Sequence, residues 1–522
     1  MNPAPRHCAL LVIAALFALS TTPAHANPAH IVSEKRVGPR WIELTISTPA
    51  FAGPTKVDVD LPTGYATHPK RRWPVTYFLA GTQNTYRSFN RVVDGIGLTK
   101  DYPSILVSPN GDSGYWSDWF NGGAFGPPMY ETYVIDQLIP LIDKRFRTNA
   151  RRSERAILGV SMGGYGSMMM AARHPDLFAY AASLSGAVDS NLPANGAVLS
   201  ASPELQGADV DAIYGPRATQ EVRWRGHNPT DLADNLRDLD LQVRSANGVL
   251  NPGIGENPAS ADSVSCVVEG GVYMGSVDLH NELDTLKIPH LWRDYGPGCH
   301  TPANFKREIT DTLQTFTAGF AHPRPAPKSW DYKSIEPAFD IWGWHIAADP
   351  KRALEFMQLK NASDSGMTLI GSGATTVTSP PLFRGLRRVD VAGAALKPDS
   401  AGRVRFSVDL GPPDADQQYT PGATTTQTSK TVGLAPWALI KITRARAGRR
   451  AVQVCAHAIG GDVTSRLRAP GARSAKVTLG RKTVCRNLRW TRRPNARKLT
   501  LRLTGRDRFG HAVTGSRSVK LR

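Results

Sequence analysis

The chain has 522 residues, of which 41% are hydrophobic and 20% are charged. This length is too great for a single hydrophobic core and excludes a one-domain protein. The formal net charge of +19 is unevenly placed, because residues 444–522 carry 22 of the 63 basic residues and only two of the 44 acidic ones. The rest of the chain is therefore close to neutral, and only its last part is suited to an anionic partner.

Residues 1–26 have the pattern of a signal peptide. Two basic or polar residues precede an apolar run from Cys8 to Leu19, and Ala24-His25-Ala26 forms a cleavage site of the A-x-A type. The apolar run is shorter than the roughly 20 residues that span a bilayer, so we expect cleavage after Ala26 and no transmembrane segment in the mature chain. The sequence thus predicts an exported protein, secreted or associated with the cell envelope; an uncleaved anchor is the alternative.

Strand and helix patterns alternate over residues 27–320, and polar or glycine-rich stretches follow the strands. The main predicted strands are 41–48, 55–61, 74–79, 104–107, 156–160, 178–184, 239–245 and 291–295, and the main predicted helices are 130–146, 270–286, 302–320 and the helix after residue 161. This alternation predicts an α/β fold of the α/β-hydrolase kind, with a doubly wound, mainly parallel sheet that binds ligands at the carboxyl ends of its strands.

A proline-rich linker is predicted at residues 321–334, because Pro323, Pro325 and Pro327 favour an extended chain and prevent a helix. Beyond it the helical patterns stop. Short strand-like runs, separated by glycine, serine, threonine and proline, predict one or two all-β modules of the sandwich type. We divide this part into a β-rich module at 335–443 and a basic β-rich module at 444–522.

The segment Gly159-Val160-Ser161-Met162-Gly163 follows a buried strand and precedes a helix rich in small residues. This is the pattern of a G-x-S-x-G nucleophile elbow, in which the serine occupies a sharp turn between strand and helix. We therefore predict that Ser161 is a nucleophile. The backbone N–H of Met162, at the helix start, and that of Thr82, after the turn at Gly81, are the predicted donors of an oxyanion hole.

His300 is the best candidate for the base, because it follows a strand in a glycine-rich turn and comes after Ser161 in the chain order of α/β-hydrolases. The alternative is a loop histidine that caps the next helix. The acid must lie between Ser161 and His300, and the residues in range are Glu256, Asp262, Glu269, Asp278, Glu282 and Asp284.

We favour Glu269 as the acid on account of two cysteines. If Glu269 orients His300, then Cys266 and Cys299 come within bridging distance, and a disulfide would join the acid loop to the base loop. A structural alternative makes Glu269 a carboxylate stabilised by a helix N-terminus. The remaining cysteines, Cys455 and Cys485, would form a second disulfide. No C-x-x-C pair is present, and we expect neither a metal nor a cofactor.

Four segments together carry a family resemblance: 114–120 (GYWSDWF), 159–163 (GVSMG), 178–186 (FAYAASLSG) and 296–300 (GPGCH). With them, residues 40–320 resemble the antigen 85 complex, a mycolyltransferase and diacylglycerol acyltransferase family within the putative-esterase branch of the α/β-hydrolases. The resemblance implies a triad of Ser161, Glu269 and His300 and an oxyanion hole made by Thr82 and Met162.

The sequence departs from that family where the sugar acceptor binds. Ala80 replaces the carboxylate that precedes the oxyanion glycine, and Pro302 and Phe305 replace the aromatic pair after the histidine. Acyl-ester chemistry is retained, but the resemblance does not extend to trehalose as acceptor. We expect Ala80, Trp116 and Trp119 to contact substrate; alternatively, the two tryptophans belong to the core.

The sequence therefore predicts an exported serine esterase or acyltransferase, acting on acyl esters, lipids and glycolipids among them, through an acyl-enzyme on Ser161. Two alternatives remain. One is a non-catalytic envelope- or matrix-binding protein on a hydrolase scaffold, whose basic module binds an anionic envelope polymer. The other is a peptidase or a polymer or polyester depolymerase. Nucleic acid is not expected as a partner, because the chain is predicted to be exported.

Overall fold

The computed structural model describes residues 29–121, 127–259 and 263–521, so the predicted signal peptide and Asp262 lie outside the described residues. The first part of the chain forms a nine-stranded sheet with the strand order β1-β2-β3-β5-β4-β6-β7-β8-β9. Its strands are β1 His30–Arg36, β2 Trp41–Ser47, β3 Thr55–Asp60, β4 Val75–Leu79, β5 Ile105–Pro109, β6 Arg155–Val160, β7 Tyr180–Leu184, β8 Asp240–Ser245 and β9 Leu291–Asp294.

The sheet is antiparallel from β1 to β5 and parallel from β5 through β4 to β9. Every residue of β4, β5, β6 and β7 is buried. Nearly continuous apolar runs, interrupted here only by Thr76, Ser108, Arg155 and Ser183, are typical of parallel strands that are covered on both faces. The carboxyl ends of the central strands therefore meet at one edge, where ligands of such sheets bind.

Helices cover both faces of this sheet. The α-helices are α1 Ser88–Val92, α2 Gly95–Leu98, α3 Tyr130–Thr132, α4 Ile139–Arg145, α5 Met162–Arg173, α6 Pro193–Ala201, α7 Arg217–Arg225, α8 Ser263–Thr285 and α9 Pro302–Ala321. A π-helical turn, Tyr133–Leu138, joins α3 to α4, and the 3₁₀ turns that lie wholly in the described residues are Arg152–Glu154, Ser202–Gln206, Ala233–Leu236 and Pro252–Ile254. No helix in the described parts of the chain is both long enough and apolar enough to cross a membrane.

The predicted α/β fold, with a mostly parallel sheet followed by antiparallel β structure, is confirmed. Individual elements differ from prediction. Strand β1 was not predicted, since its side chains are mostly exposed and give no clear alternation. Helix α8 begins at Ser263 and not at residue 270, which places Glu269 well inside the helix and excludes the structural alternative of an N-terminal carboxylate.

The second part of the chain contains two pairs of antiparallel sheets. Their strands are β10 Trp330–Ser334, β11 Ala338–Ile341, β12 Trp344–Ala347, β13 Met357–Ser363, β14 Gly366–Gly371, β15 Ala374–Thr378, β16 Val389–Val391, β17 Ala394–Leu396, β18 Arg405–Asp409, β19 Thr428–Pro436, β20 Leu439–Ala447, β21 Ala451–Ile459, β22 Val463–Arg468, β23 Ala475–Leu479, β24 Val484–Arg489, β25 Lys498–Asp507 and β26 Ala512–Lys520.

Each pair of sheets encloses its own hydrophobic core. A six-stranded sheet (β10-β13-β14-β19-β16-β17) and a four-stranded sheet (β11-β12-β15-β18) share one core. A three-stranded sheet (β20-β21-β24) and a four-stranded sheet (β23-β22-β25-β26) share the other. We call these the first and second sandwich.

The first sandwich contacts the α/β region at the C-terminal end of α5. Arg173, the last residue of α5, forms an ion pair with Glu336 at 2.8 Å, and its carbonyl accepts a hydrogen bond from the Tyr332 hydroxyl at 2.7 Å. Asn235 exchanges hydrogen bonds with the backbone of Lys333. These contacts are far along α5 from Ser161, which precedes its first turn.

Candidate active site

Ser161 stands between β6 and α5 in a strained backbone conformation. Its φ of 58° and ψ of −121° lie in a region that residues other than glycine rarely adopt. The N–H of Ser161 donates to the carbonyl of Leu184 at 3.0 Å, and its own carbonyl accepts from Gly164 at 2.9 Å, so neighbouring backbone holds the turn. The strain thus fixes the direction in which the serine side chain leaves the sheet edge.

Glycines make this turn possible because they let the backbone of neighbouring elements approach closely. A Cβ on Gly163 would lie 1.9 Å from the carbonyl oxygen of Leu79, and one on Gly159 would lie 2.1 Å from that of Gly163. On the opposite side, a Cβ on Gly81 would lie 3.2 Å from the Cβ of Ser161. The elbow can therefore form only because strand, helix and the turn after β4 meet without side chains between them.

His300 and Glu269 form a hydrogen-bonded pair. The Nδ1 atom of His300 lies 2.7 Å from Oε2 of Glu269, whose side chain is fully buried, while 14% of the histidine side chain is exposed. A carboxylate at Nδ1 fixes the imidazole tautomer and leaves Nε2 as the basic nitrogen. The Ser161 hydroxyl makes no hydrogen bond to His300 within the described chain, although both side chains line one cavity. Such bonds are often long without substrate.

Two devices hold the loop that carries His300. The predicted disulfide Cys266–Cys299 is present and ties this loop to α8. In addition, the buried carboxylate of Glu256 accepts hydrogen bonds from the N–H of Cys299 at 3.0 Å and from the hydroxyl of Thr301 at 2.6 Å. Glu256 therefore binds the residues on both sides of His300. Glu256 was one of the other residues in range for the acid, and this is where the structure places it.

A second buried carboxyl, which was not predicted, lies behind Glu269. The hydroxyl of Ser185 is 2.7 Å from Oε1 of Glu269 and 3.0 Å from Oε1 of Glu308. The amide of Asn304 reaches the same three groups at 3.3–3.5 Å. Burial, and then the charge of Glu269, raise the pKa of Glu308 well above its ordinary value. Glu269 thus belongs to a closed polar network.

Ser161 and His300 open into one cavity of about 590 Å³. Its wall is mostly apolar, with side chains from α1, α6, α8 and α9, among them Val92, Val198, Val268, Val272, Phe305 and Ile309. Thr82, Ala80 and Pro302 also line it. Because an apolar wall surrounds a few polar groups at one end, the cavity suits an apolar group carried next to a polar, reacting one.

Thr82 and Met162, the predicted oxyanion donors, both lie next to Ser161 in the structure. Thr82 follows Gly81 beside Ser161, and Met162 is the first residue of α5. Within the described chain, neither N–H donates a hydrogen bond to a protein acceptor, so both donors are available to a ligand.

Trp116 and Trp119 do not reach the cavity. Both are buried in the core of the α/β region, at 0% and 2% exposure, and their indole N–H groups donate to the carbonyls of Ala80 and Gly114. The prediction that they contact substrate is therefore corrected to the alternative, core packing. Trp116 instead supports the turn at Ala80 from behind.

Four other histidines lie away from the cavity. His174 pairs with Glu131 at 2.8 Å, and His280 with His290 at 2.8 Å. His227 is fully buried, and burial lowers its pKa to about 4. None of them lines the cavity.

The mainly parallel sheet has a strained serine after strand β6 and a histidine–carboxylate pair at the same edge, an arrangement typical of the α/β-hydrolase fold. Residues 48–260 match the model of the protein family described as "Putative esterase". The Mycobacterium tuberculosis protein named Esterase Rv1288 is 32% identical over 289 residues, covering 53% of this chain and 60% of the relative. The predicted resemblance to the esterase branch is confirmed by these matches.

Members of the antigen 85 group also match. The protein named Diacylglycerol acyltransferase/mycolyltransferase Ag85B from Mycobacterium avium is 28% identical over 132 residues, covering 24% of this chain and 39% of the relative. The solved structure of the serine hydrolase FphF from Staphylococcus aureus is 20% identical and covers 54% of this chain and 99% of the solved one, with a TM-score of 0.43. The chain spans about 60% of the length of the first curated relatives that it matches.

Proposed function

We propose that this protein is an exported serine esterase or acyltransferase that acts on acyl esters through an acyl-enzyme on Ser161. One observation carries the proposal: a strained serine lines the same apolar cavity as a histidine that is hydrogen-bonded to a buried glutamate. Export is supported by the apolar N-terminal run with its cleavage pattern and by the two disulfides, Cys266–Cys299 and Cys455–Cys485.

The proposed reaction begins when Ser161 Oγ attacks the carbonyl carbon of the ester. His300 Nε2 takes the hydroxyl proton, while Glu269 holds the Nδ1–H and stabilises the imidazolium. The N–H groups of Thr82 and Met162 donate to the carbonyl oxygen as it becomes negative. Collapse of this intermediate breaks the bond to the leaving alcohol, which receives the proton from His300, and leaves the acyl group on Ser161.

A second attack completes the cycle. Water or the hydroxyl of an acceptor loses its proton to His300 and attacks the acyl carbon. His300 then gives this proton to Ser161 Oγ as the bond to the acyl group breaks, which yields an acid or a new ester. Both outcomes use the same residues, so the choice between hydrolysis and transfer depends on the acceptor end of the cavity. Ala80 and Pro302 line this cavity, and we propose that they contact the substrate.

Substitution of the nucleophile tests the proposal. We expect Ser161→Ala to lower kcat on p-nitrophenyl esters by roughly 10⁴–10⁶-fold, because general-base catalysis has no nucleophile to activate. Ser153→Ala is the matched control: Ser153 precedes the same strand, β6, that Ser161 follows, so we expect unchanged activity. A fluorophosphonate should add mass to the wild type and the control but not to Ser161→Ala. Full activity in Ser161→Ala would refute the mechanism.

A further inference from the structure

One face of the second sandwich presents only basic, hydroxyl and small side chains. It is the solvent face of the sheet β23-β22-β25-β26, whose other face packs into the core. We call it the basic sheet face. Its exposed basic residues are Arg466, Arg468, Lys476, Lys498, Arg502, Arg506 and Lys520, and its exposed hydroxyl residues are Thr464, Thr478, Thr500, Thr504, Thr514, Ser516 and Ser518.

The strand register places like charges directly opposite one another on this face. Arg468 of β22 is paired with Arg502 of β25, and Arg466 is paired with Lys476 of β23. At the sheet edge, Lys498 is paired with Lys520. Like charges at directly opposed positions destabilise a sheet, since their side chains are only about 5 Å apart at Cβ. These like-charge pairs therefore lower the stability of the folded protein.

Nothing in the described part of the chain neutralises them. The two acidic residues of this region are Asp462, in the turn before β22, and Asp507, which is buried and bonded to the N–H of Ala438 and to His511. No basic side chain of the basic sheet face forms an ion pair, and Arg506 donates only to a backbone carbonyl. The basic sheet face therefore carries several positive charges, and the negative charges that neutralise them must come from outside the chain.

We infer that the basic sheet face binds an anionic polysaccharide, one that carries carboxylate or phosphate groups along its length. Neighbouring strands lie about 4.8 Å apart, and side chains on one face repeat about every 6.7 Å along a strand. The cations therefore form a regular grid that suits repeated anions rather than a single one. The threonine and serine hydroxyls between them can donate to and accept from sugar hydroxyls.

The chemistry of this face favours a polysaccharide over two other polyanions. None of its side chains is aromatic, so it offers no platform on which the bases of a single-stranded nucleic acid could stack. None is large and apolar, so nothing on it could insert between lipid acyl chains. A polymer of charged sugars needs only the cations and hydroxyls that the face provides.

Binding of polygalacturonate to the full-length protein tests the inference. We expect Arg466→Gln/Arg468→Gln/Arg502→Gln to weaken binding at least 10-fold at low salt. The matched variant Arg449→Gln/Arg450→Gln/Lys482→Gln removes the same charge from exposed turns of the same sandwich and should change binding less than threefold. Equal losses in both variants, or no loss in the first, would overturn the inference, because net charge or another surface would then explain retention.

Thermal stability and competing polymers complete the test. Since the first variant removes two like-charge pairs, we expect its melting temperature to equal or exceed that of the wild type, which separates lost binding from misfolding. If the triple variant does not fold, the single variants Arg468→Gln and Arg502→Gln are measured in its place, each with an expected loss of about threefold. Tighter binding of single-stranded DNA or phosphatidylglycerol vesicles than of polygalacturonate would contradict the assignment to a polysaccharide.

Discussion

The hydroxyl of Ser185 indicates which of the two buried carboxyl groups is charged. It has one hydrogen but lies within hydrogen-bond distance of both Glu269 and Glu308, and the shorter contact, 2.7 Å, is to Glu269. If the hydrogen goes to Glu269, Glu308 must donate its own proton to the hydroxyl oxygen. The raised pKa of Glu308, caused by burial and then by the charge of Glu269, agrees with this assignment. Glu308 is thus a neutral acid beside the carboxylate that orients His300.

The variant Glu308→Gln tests this protonation state. Glutamine is neutral and similar in shape, so we expect kcat/KM at neutral pH within about threefold of the wild type and an unchanged pH–rate profile. A carboxyl group whose pKa is higher in the folded than in the unfolded protein stabilises the fold fully when the pH is below the unfolded-state pKa. This stabilisation is lost as the pH rises through the folded-state pKa. Glu308→Gln should therefore gain in unfolding free energy relative to the wild type as the pH is raised above about 4.5.

Denaturant unfolding across pH and a pH–rate profile measure these effects. Glu308→Leu serves as the control that removes the hydrogen bond as well as the proton, and it should lower kcat/KM. If the acid limb of the pH–rate profile moved down by one pH unit or more in Glu308→Gln, Glu308 would have to be ionised in the wild type.

At the residue scale, the sequence predicts some of the site and misses the rest for a definite reason. Ser161 and His300 follow strands in glycine-rich turns, a local pattern that the sequence displays directly. Glu308 lies inside α9, where a polar residue looks like any solvent-facing one. The signal that could have revealed it is the spacing of Asn304, Glu308 and Thr312, a polar stripe within the apolar face of that helix, and all three are buried.

The contact between α5 and β4 depends on Gly163. A Cβ there would overlap the carbonyl oxygen of Leu79, which cannot move without disrupting the sheet. We expect Gly163→Ala to lower the unfolding free energy by on the order of 3 kcal/mol or more and to abolish activity. Gly270→Ala in α8 is the matched control: no atom lies within 4 Å of its added Cβ, so helix propensity should raise the unfolding free energy by about 0.5–1 kcal/mol.

Urea unfolding and ester hydrolysis measure both glycine variants side by side. If Gly163→Ala had the same unfolding free energy as the wild type, β4 and α5 would have to separate freely, contrary to the packing described.

At the element scale, prediction succeeds where burial and pattern agree. Strand β6 is apolar after its first residue, Arg155, and buried throughout, so its place in the sheet follows from its composition. The predicted start of α8 is too late in the chain, because Val264, Val267 and Val268 are exposed and do not form a periodic stripe that faces the core. The Gly270-Gly271 pair, which suggests a boundary, is instead accommodated inside the helix, where neither glycine has a neighbour at its Cβ position.

The hydrophobic cores of the molecule differ in whether they are shared between its parts. The core of the α/β region includes Ile335 and Phe356, which follow the proline-rich segment, so the first sandwich shares packing with it. The core of the second sandwich draws on residues 438–519 alone. The second sandwich should therefore unfold as a separate unit, and the first should unfold with the α/β region.

Calorimetry of two disulfide variants checks this division. Cys455→Ser/Cys485→Ser should destabilise only the transition of the second sandwich, by about 3–4 kcal/mol for a loop of this length, and leave ester hydrolysis unchanged. Cys266→Ser/Cys299→Ser should instead affect the transition of the α/β region and lower activity, because it frees the loop of His300. A single transition that shifts as a whole in both variants would contradict the division.

At the scale of the molecule, the sequence predicts the change from α/β to antiparallel β structure, because helical periodicity ends with α9. It does not predict how the parts meet. The junction depends on single groups such as Arg173 and Glu336, which are distant in the chain and show no pattern in either segment.

The position of the junction has a consequence for catalysis on a solid support. Helix α5 is about 18 Å long, with Ser161 before its first residue and Arg173, the contact to the first sandwich, at its last. The described residues that line the cavity lie between 78 and 309, and none of them belongs to either sandwich. If the second sandwich binds a polymer as inferred above, we expect the cavity to stay open to diffusing esters. Turnover of a small ester by the polymer-bound protein should then equal that of the free protein.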